Sequence, residues 1–190
     1  MDGLFAFSLC EEVARNLRKG QTLLPHEIPE LTGADTFQQC YQDALRFLSY
    51  KTRSASEVKN RLLRKNFKPE IVSQAIQQLK DRNLLNDDDF ARLWKENRDV
   101  FSPRSRRMIQ AELKFKGVSP EIAFKTTEGV DDLDAARRAV AKKIKVLTGL
   151  DKEAFKKKLS FFLVRRGFGW GTIKKVVEEM IAAIKPNKSE

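Results

Sequence analysis

Apolar residues recur along this chain in one pattern at a spacing of about fifty residues. The recurring positions are Leu62, Phe67 and Ile71, then Leu113, Val118 and Ile122, and finally Leu163, Phe168 and Ile173. Internal repetition at this period is typical of small helical units stacked in series. The sequence therefore predicts three copies of one helical module.

Each module has a turn position just before the middle apolar residue of its set. Asn66, Gly117 and Gly167 occupy it, and these residue types tolerate a left-handed backbone best. Pro69 and Pro120 follow where proline suits the first turn of a new helix. We therefore expect a left-handed turn between the second and third helices of each three-helix module.

Polar residues at the ends of apolar stripes indicate where other helices begin. Asp35 is a candidate cap for the first helix of the first module, and Ser54 with Glu57 forms a capping-box pattern. Ser102–Pro103 reads as an N-cap followed by a first helical residue, and Asp151 as a further N-cap.

The first 34 residues differ from the modules. Phe5, Phe7 and Leu9 alternate with smaller or polar residues, which is typical of a short half-buried strand, and Asp2-Gly3 before them suits a hairpin turn. The predicted organisation is an N-terminal segment with a short strand and helices (1–34), three repeats (35–85, 86–130 and 131–185) and a disordered tail (186–190).

Composition narrows the possible partners and location. The formal net charge of +11 and the pI near 9.7 favour polyanions or acidic protein surfaces. No apolar run approaches the roughly 18 residues of a membrane span, and residues 1–20 lack a signal-peptide pattern, so a cytoplasmic protein is expected. Cys10 and Cys40 show no metal or disulfide spacing, and Cys40 is expected to pack as an apolar residue.

The basic residues are segregated along the chain. Residues 51–68, 102–117 and 137–175 hold 25 of the 37 lysines and arginines and only four acidic residues. A solvated helix face is one explanation, but such faces usually mix both signs. Repetition of one sign on the middle helix of each module favours a charged surface for a polyanionic partner.

The outline of helix, turn and helix also suggests a helix-turn-helix that reads base edges. That interpretation requires recognition side chains on the second helix of the pair. The outward positions there are Glu70, Ser73, Gln74 and Gln77 in the first module, and Glu121 and Lys125 in the second. Contact with phosphates or acidic surfaces, without base specificity, fits these residues better.

The sequence contains no pattern for catalysis, a cofactor or a metal. His26 is the only histidine, and no phosphate-binding GxxxxGK[ST] loop is present. Gly167, Gly169 and Gly171 follow a predicted helix, so turn flexibility explains them better than a dinucleotide site. Helix capping explains Asp87–Asp89 better than a metal site.

Short segments lie along the modules in a fixed order, and they are Ala44–Leu48, Arg53-Ser54 through Glu57-Val58 to Leu62, Leu84–Asp88 with Phe90-Ala91, Glu112-Leu113 with Lys116–Val118, and Arg165–Phe168. This ordered set is similar to the RecX family of bacterial RecA regulators. The segments cover roughly residues 35–180 in the family's order. Asn66 stands where the family usually has glycine, and Ser102–Arg106 lacks a glycine often found there.

The resemblance implies an all-α chain of three tandem three-helix repeats in an extended, curved array. It implies a non-enzymatic regulator that binds the RecA filament on single-stranded DNA and inhibits the ATPase, recombinase and coprotease activities of RecA. Such a protein acts in the regulation of DNA repair and the SOS response. The expected state is a monomer without a cofactor.

Two other functions are compatible with the residues. One is a general, non-sequence-specific nucleic-acid-binding helical repeat protein that binds bare DNA. The other is a hydrolase or transferase that uses His26.

The residues expected to contact the RecA filament or DNA are basic and lie mainly on the middle helices. They are Arg53, Lys59, Arg61, Arg64, Lys65, Arg104, Arg106, Arg107, Lys114, Lys116, Lys156, Lys157, Arg165 and Arg166. We refer to these fourteen residues as the basic set. Because Lys156, Lys157, Arg165 and Arg166 fall outside the apolar stripe, replacing all four with Glu is expected to weaken partner binding and leave helical content unchanged.

Overall fold

A computed structural model of the chain describes residues 5–141, 143–144, 147 and 149–183, and these residues form helices with no strand. The helices are α1 (Glu11–Ala14), α2 (Glu27–Ser49), α3 (Ala55–Leu63), α4 (Pro69–Asp81), α5 (Asp87–Phe101), α6 (Arg106–Phe115), α7 (Pro120–Thr127), α8 (Asp132–Ala141), α9 (Lys152–Val164) and α10 (Trp170–Ala183). The predicted all-α class with three tandem three-helix domains is confirmed. The chain divides into two compact units, with the boundary between Asp87 and Asp88.

The N-terminal segment differs from its prediction. Residues 5–10 are irregular, Phe5 is 84% exposed, and the interpretation of Phe5–Leu9 as a strand is wrong. Alternation alone does not make a strand, because backbone groups need a neighbouring strand to pair with. The proposed hairpin turn at Asp2-Gly3 and the tail 186–190 lie outside the described residues.

Asp35 is not a helix cap, because α2 begins eight residues earlier, at Glu27. Asp35 lies within α2, and its carboxylate is buried. One carboxylate oxygen accepts a hydrogen bond from the backbone N–H of Cys10, and the other accepts one from Gln39 Nε2 at 2.6 Å. A buried carboxylate requires such partners. Asp35 therefore ties the N-terminal segment to α2.

The three turns adopt the predicted left-handed backbone. The φ angles are 64° at Asn66, 78° at Gly117 and 84° at Gly167. Pro69 and Pro120 open α4 and α7, as predicted. The exchange of glycine for asparagine at the first turn is therefore accommodated, since asparagine is among the residues that adopt this conformation most readily.

Of the other three predicted caps, two are confirmed and one is wrong. Ser54 and Glu57 form the capping box of α3, and Asp151 caps α9. The N-cap of α6 is Ser105 instead of Ser102, and its Oγ accepts the N–H of Met108 at 3.2 Å. Ser54 and Ser105 are both fully buried and stand at equivalent positions of their repeats.

The first unit is built around the contacts of α2, α3 and α4. Its core is apolar and includes Cys40, Ala44, Val58, Leu62, Val72, Ala75 and Leu79, all with no exposed surface. Burial raises the pKa of the Cys40 thiol to about 11, which agrees with its prediction as an apolar packing residue. Burying a side chain such as Leu62 contributes about 1.5–3 kcal/mol.

In the second unit the buried residues form one cluster for each repeat. The cluster of the second repeat centres on Phe90, Ala91, Ile109, Leu113 and Val118, and the cluster of the third on Val140, Phe155, Leu159, Leu163 and Ile173. The apolar stripes of the sequence thus face inward, and the basic residues between them are left for other surfaces.

The turn of the third repeat is bonded to the N-terminus of α6. The backbone N–H of Ser105 donates to the Arg166 carbonyl at 3.1 Å, and Ser105 Oγ donates to the Gly167 carbonyl at 2.8 Å. In addition, Arg166 Nη1 donates hydrogen bonds to Ser102 Oγ at 3.0 Å and to the Pro103 carbonyl at 2.9 Å. The second and third repeats are therefore joined by a hydrogen-bonded contact within one unit.

Aspartates at the starts of repeats cap the middle helix of the preceding repeat. Asp132 Oδ1 accepts the N–H of Arg106, the first residue of α6, at 2.7 Å. Within the first unit, Asp87 Oδ1 accepts the N–H of Ala55, the first residue of α3, at 2.9 Å. These acids thus satisfy N–H groups that a helix start leaves free.

Candidate functional site

Most of the basic set lies on the surface. Lys59, Arg61, Arg64, Lys65, Arg106, Arg107, Lys114, Lys156, Lys157 and Arg165 are exposed, and Arg53, Arg104, Lys116 and Arg166 are half-buried. Exposure alone does not make a cation available, because an intramolecular partner can already occupy it. The contacts of each group divide the basic set into structural residues and residues free to meet a partner.

Two arginines of the first unit lie against one aromatic ring. The Arg53 guanidinium is 4.2 Å from the centroid of Phe47, and the Arg61 guanidinium is 5.8 Å from the same centroid. A guanidinium over an aromatic face is held by cation–π attraction and keeps its N–H groups at the edge of the stack. This arrangement orients two cations without neutralising them.

A cavity of about 210 Å³ lies beside this ring. It is lined by Asp43, Arg46, Phe47, Tyr50, Arg61 and Lys65, and we call it the Phe47 pocket. Lys65 Nζ is 2.6 Å from Asp43 Oδ2, and Arg46 Nη1 is 3.6 Å from Asp43 Oδ1. One carboxylate thus serves two cations. Among the described residues, Arg53 and Arg61 form no ion pair, so the pocket carries excess positive charge.

Two further members of the basic set, Lys59 on α3 and Arg64 at the C-cap of that helix, lie outside this pocket. Arg64 Nε donates to the Asn60 carbonyl at 3.1 Å, and Arg64 lines a different cavity of about 570 Å³ with Asn60 and Leu63. Lys59 is exposed on the same helix. The structure therefore does not gather all five basic residues of the first repeat into one site.

Glu112 binds several donors in the second unit. Arg98 Nε lies 2.7 Å and Trp94 Nε1 2.8 Å from Glu112 Oε2, and Arg104 Nη1 lies 2.7 Å from Oε1. The side chain of Glu112 is only 14% exposed. Arg104 is therefore engaged in holding α6, and Lys116 lies over the Trp94 ring at 5.2 Å from its centroid.

Replacement of Glu112 by Ala is expected to destabilise the second unit by about 1–3 kcal/mol, because two arginines and an indole N–H lose their acceptor in a largely buried place. Chemical unfolding followed by Trp fluorescence measures this loss. Glu96→Ala is the matched control. Glu96 is half-exposed and its ion pair with Arg92 is long, at 3.6 Å, so the expected loss of stability is below about 0.5 kcal/mol. Equal losses in the two variants would contradict this role of Glu112.

Arg166 is also a structural residue. Its guanidinium lies 4.4 Å from the Phe162 centroid and makes the hydrogen bonds to Ser102 and Pro103 described above. Burial lowers the pKa of Arg166, and the positive charges of Arg104, Arg165 and Arg98 lower it further. The expectation that all four basic residues near α9 can be reversed without structural effect is therefore wrong for Arg166.

Arg106 and Arg107 are neighbours with different surroundings. Arg106 Nη2 donates to the carbonyls of Glu128 at 2.8 Å and Val130 at 3.0 Å, so its charge fixes the end of the second repeat. Arg107 is exposed and lines a cavity of about 470 Å³ that also contains Asp131 and Asp132. Lys114 is exposed on the same helix, α6.

The free members of the basic set in the third repeat lie on α9 and the turn after it. Lys156, Lys157 and Arg165 are exposed and form no ion pair with any described residue. Arg165 also borders a cavity of about 510 Å³ whose other lining residues are Lys143, Leu147, Lys158, Phe161 and Phe162. The lining of this cavity thus combines the cations Lys143, Lys158 and Arg165 with two phenylalanine rings, and it contains no carboxylate.

Several site residues were missed in the sequence. Arg46 and Tyr50 of the Phe47 pocket, and Arg98 beside Glu112, come before the basic stretches at 51–68 and 102–117. The signal for the first pair was available in the helical spacing of residues 43, 46, 47 and 50, which places them on one face. No sequence pattern distinguished Arg98 from other surface arginines.

The remaining chemistry of the described residues is limited. The outward residues of α4 that argued against base reading, Glu70, Ser73, Gln74 and Gln77, are exposed, as is His26. Within residues 5–183, apart from the undescribed positions, no group of three or more potential metal ligands is present. No helix in this part of the chain is long and apolar enough to cross a membrane.

Comparisons with known proteins agree with the resemblance found in the sequence. Family models described as the first, second and third three-helix domains of RecX match residues 40–79, 86–124 and 130–177. A protein of Chlorobium limicola named Regulatory protein RecX is 33% identical over 137 residues, which are 72% of this chain and 86% of that protein.

A second relative with the same name, from Listeria welshimeri, is 28% identical over 173 residues. The match covers 88% of this chain but 64% of the relative, so the chain spans less than two thirds of that protein. A crystal structure of a regulatory protein RecX matches with a TM-score of 0.74 at 20% identity, covering 94% of this chain and 92% of that one. At this identity the structural match bears on the fold alone.

Proposed function

This chain belongs to the RecX family, and we propose that it binds the RecA filament on single-stranded DNA and inhibits the ATPase, recombinase and coprotease activities of RecA. The proposed role is regulatory and non-enzymatic, in the control of DNA repair and the SOS response in the cytoplasm. The protein acts as a monomer in this proposal, and the filament is its long, repeating partner.

The observation that supports this proposal most is the set of unneutralised cations on the middle helices. Arg61 on α3, Lys114 on α6, and Lys156 and Lys157 on α9 are exposed and form no ion pair with a described residue. Each repeat thus offers positive charge from the same helix of its three. Several weak contacts on one chain add to a useful affinity for a partner that repeats the same surface.

RecA-catalysed ATP hydrolysis on single-stranded DNA tests the proposal directly. Addition of the protein in stoichiometric amounts is expected to lower the steady-state rate, and Arg165→Glu with Lys157→Glu is expected to restore part of it. Unchanged hydrolysis with the parent protein, under low salt where charge contacts are strongest, would refute the proposed function.

A general nucleic-acid-binding protein is the second candidate. The net charge of +11 supports it, because phosphate contacts alone supply most non-specific affinity. Affinity for bare DNA equal to that for the RecA filament, with a steep salt dependence, would favour this function over RecA regulation.

A further inference from the structure

The Phe47 pocket combines oriented cations with an exposed aromatic side chain. Tyr50 is the C-cap residue of α2, is 77% exposed and makes no hydrogen bond to a described residue. Arg46 lies one helical turn before it on the same face. An exposed ring of this size contributes little to the core of the first unit, and at the rim of a basic cavity its face is open to a ligand.

The charge of the pocket favours an anion. Arg46, Arg61 and Lys65 line the cavity with Asp43 as their only acidic neighbour in the lining, and Arg53 lies on the Phe47 ring beside them. Asp43 is already engaged by Lys65 at 2.6 Å. Arg61 therefore presents a guanidinium fork without an internal carboxylate, and phosphate is a ligand that this fork binds through two oxygens.

The exposed ring of Tyr50 favours a nucleic acid strand over other anions as the ligand of this pocket. A base with a free face can stack on Tyr50 while the adjoining phosphate meets Arg46 and Arg61, which is the usual combination in single-strand sites. A duplex cannot make this contact, because its bases are already stacked on one another. An acidic peptide would satisfy the arginines but would leave the tyrosine ring without a partner.

We propose that the Phe47 pocket binds one nucleotide of single-stranded DNA, with the base on Tyr50 and the phosphate on Arg46 and Arg61. This inference deepens the proposed function, on which it rests for the identity of the strand, since that strand is the one held in the filament. It assigns a DNA contact to the first unit.

Binding of a fluorescein-labelled oligo(dT) strand to the full chain, followed by anisotropy, tests the pocket without RecA. Tyr50→Ala and Arg61→Ala are each expected to weaken binding about tenfold. Tyr50→Phe retains the stacking ring and is expected to bind like the parent. Lys80→Ala removes an equal charge from an exposed position on α4 outside the pocket and is expected to change affinity less than twofold.

A photo-cross-link gives a second measurement that is independent of affinity. A strand carrying iododeoxyuridine is expected to cross-link to Tyr50, as read by mass spectrometry of the peptide that contains it. Equal affinity of Tyr50→Ala and the parent, a duplex that binds as tightly as the single strand, or full displacement by polyglutamate would each overturn the proposal.

The outcomes separate the pocket from the proposed function. If the parent inhibits RecA hydrolysis while Tyr50→Ala binds oligo(dT) normally, only the pocket assignment fails. If the parent has no effect on RecA but loses oligo(dT) binding when Tyr50 is replaced by Ala, the pocket stands and RecA regulation fails. Far-UV circular dichroism of each variant checks that the helices are retained.

Discussion

Replacement of Gly167 by Ala is expected to destabilise the second unit by about 3–5 kcal/mol. Gly167 has a φ of +84°, where a side chain is strained, and an added Cβ would lie 2.7 Å from both Met108 Cβ and Ser105 Oγ. The new methyl group must displace α6 or break the hydrogen bond from Ser105 to the Gly167 carbonyl. Either change weakens the contact between the turn of the third repeat and α6.

Urea unfolding followed by far-UV circular dichroism, which reports the helices of both units, measures this effect. Gly20→Ala is the matched control, because Gly20 has a φ of +86° with no atom within 4 Å of the added Cβ. That variant reports backbone strain alone, about 1–2 kcal/mol. Gly167→Asn relieves part of the strain but keeps the clash, so it is expected to resemble the Ala variant. A loss at Gly167 no greater than at Gly20 would show that the close approach to α6 carries no energy.

Reversal of Lys156, Lys157 and Arg165 to Glu is expected to weaken binding to the RecA filament about tenfold or more with no loss of helical content. All three side chains are exposed, and none forms an ion pair with a described residue, so the fold does not depend on them. If the three parent side chains contact phosphates, binding by the variant also depends less on salt. The slope of log affinity against log salt concentration is then expected to be smaller by about two. Inhibition of RecA hydrolysis, titrated at several salt concentrations, gives both quantities.

Two comparisons make this result specific. Arg15, Arg18 and Lys19, changed together to Glu, alter the net charge equally from the exposed N-terminal segment and are expected to leave inhibition near the parent level. Arg166→Glu should lower stability, because its partners Ser102 and Pro103 are lost. Unaltered inhibition by the triple variant would remove α9 from the interface, and unfolding of that variant would contradict its surface placement.

Local backbone features of the fold were predictable because they depend on few neighbouring residues. Asn66, Gly117 and Gly167 were assigned left-handed turns from residue type alone, and the capping box at Ser54 follows from a four-residue pattern. The N-cap of α6 was misplaced at Ser102 because the Ser-Pro pair is a stronger local signal than Ser105. Tertiary bonds from the third repeat to Ser105 decide the helix start.

The charged surface was predictable only in outline. Sequence position placed the basic residues on the middle helices, but it could not separate Arg104, Arg106 and Arg166, which have internal partners, from cations that lack them. Those partners lie between 8 and 64 residues away in the chain. The same limit applies to the Phe47 pocket, where residues of α2 and α3 converge only after folding.

The aspartate cap on α6 has a consequence for biosynthesis. Since Arg106 receives its acceptor from Asp132, the middle helix of the second repeat is complete only after 26 further residues have left the ribosome. A released chain truncated after Val130 lacks this acceptor and is expected to fray at the start of α6, whereas one truncated after Asp134 retains it. The start of each of these middle helices therefore depends on an aspartate from the beginning of the next repeat. Deletion of that repeat from the gene would leave the first N–H group of the helix without its acceptor.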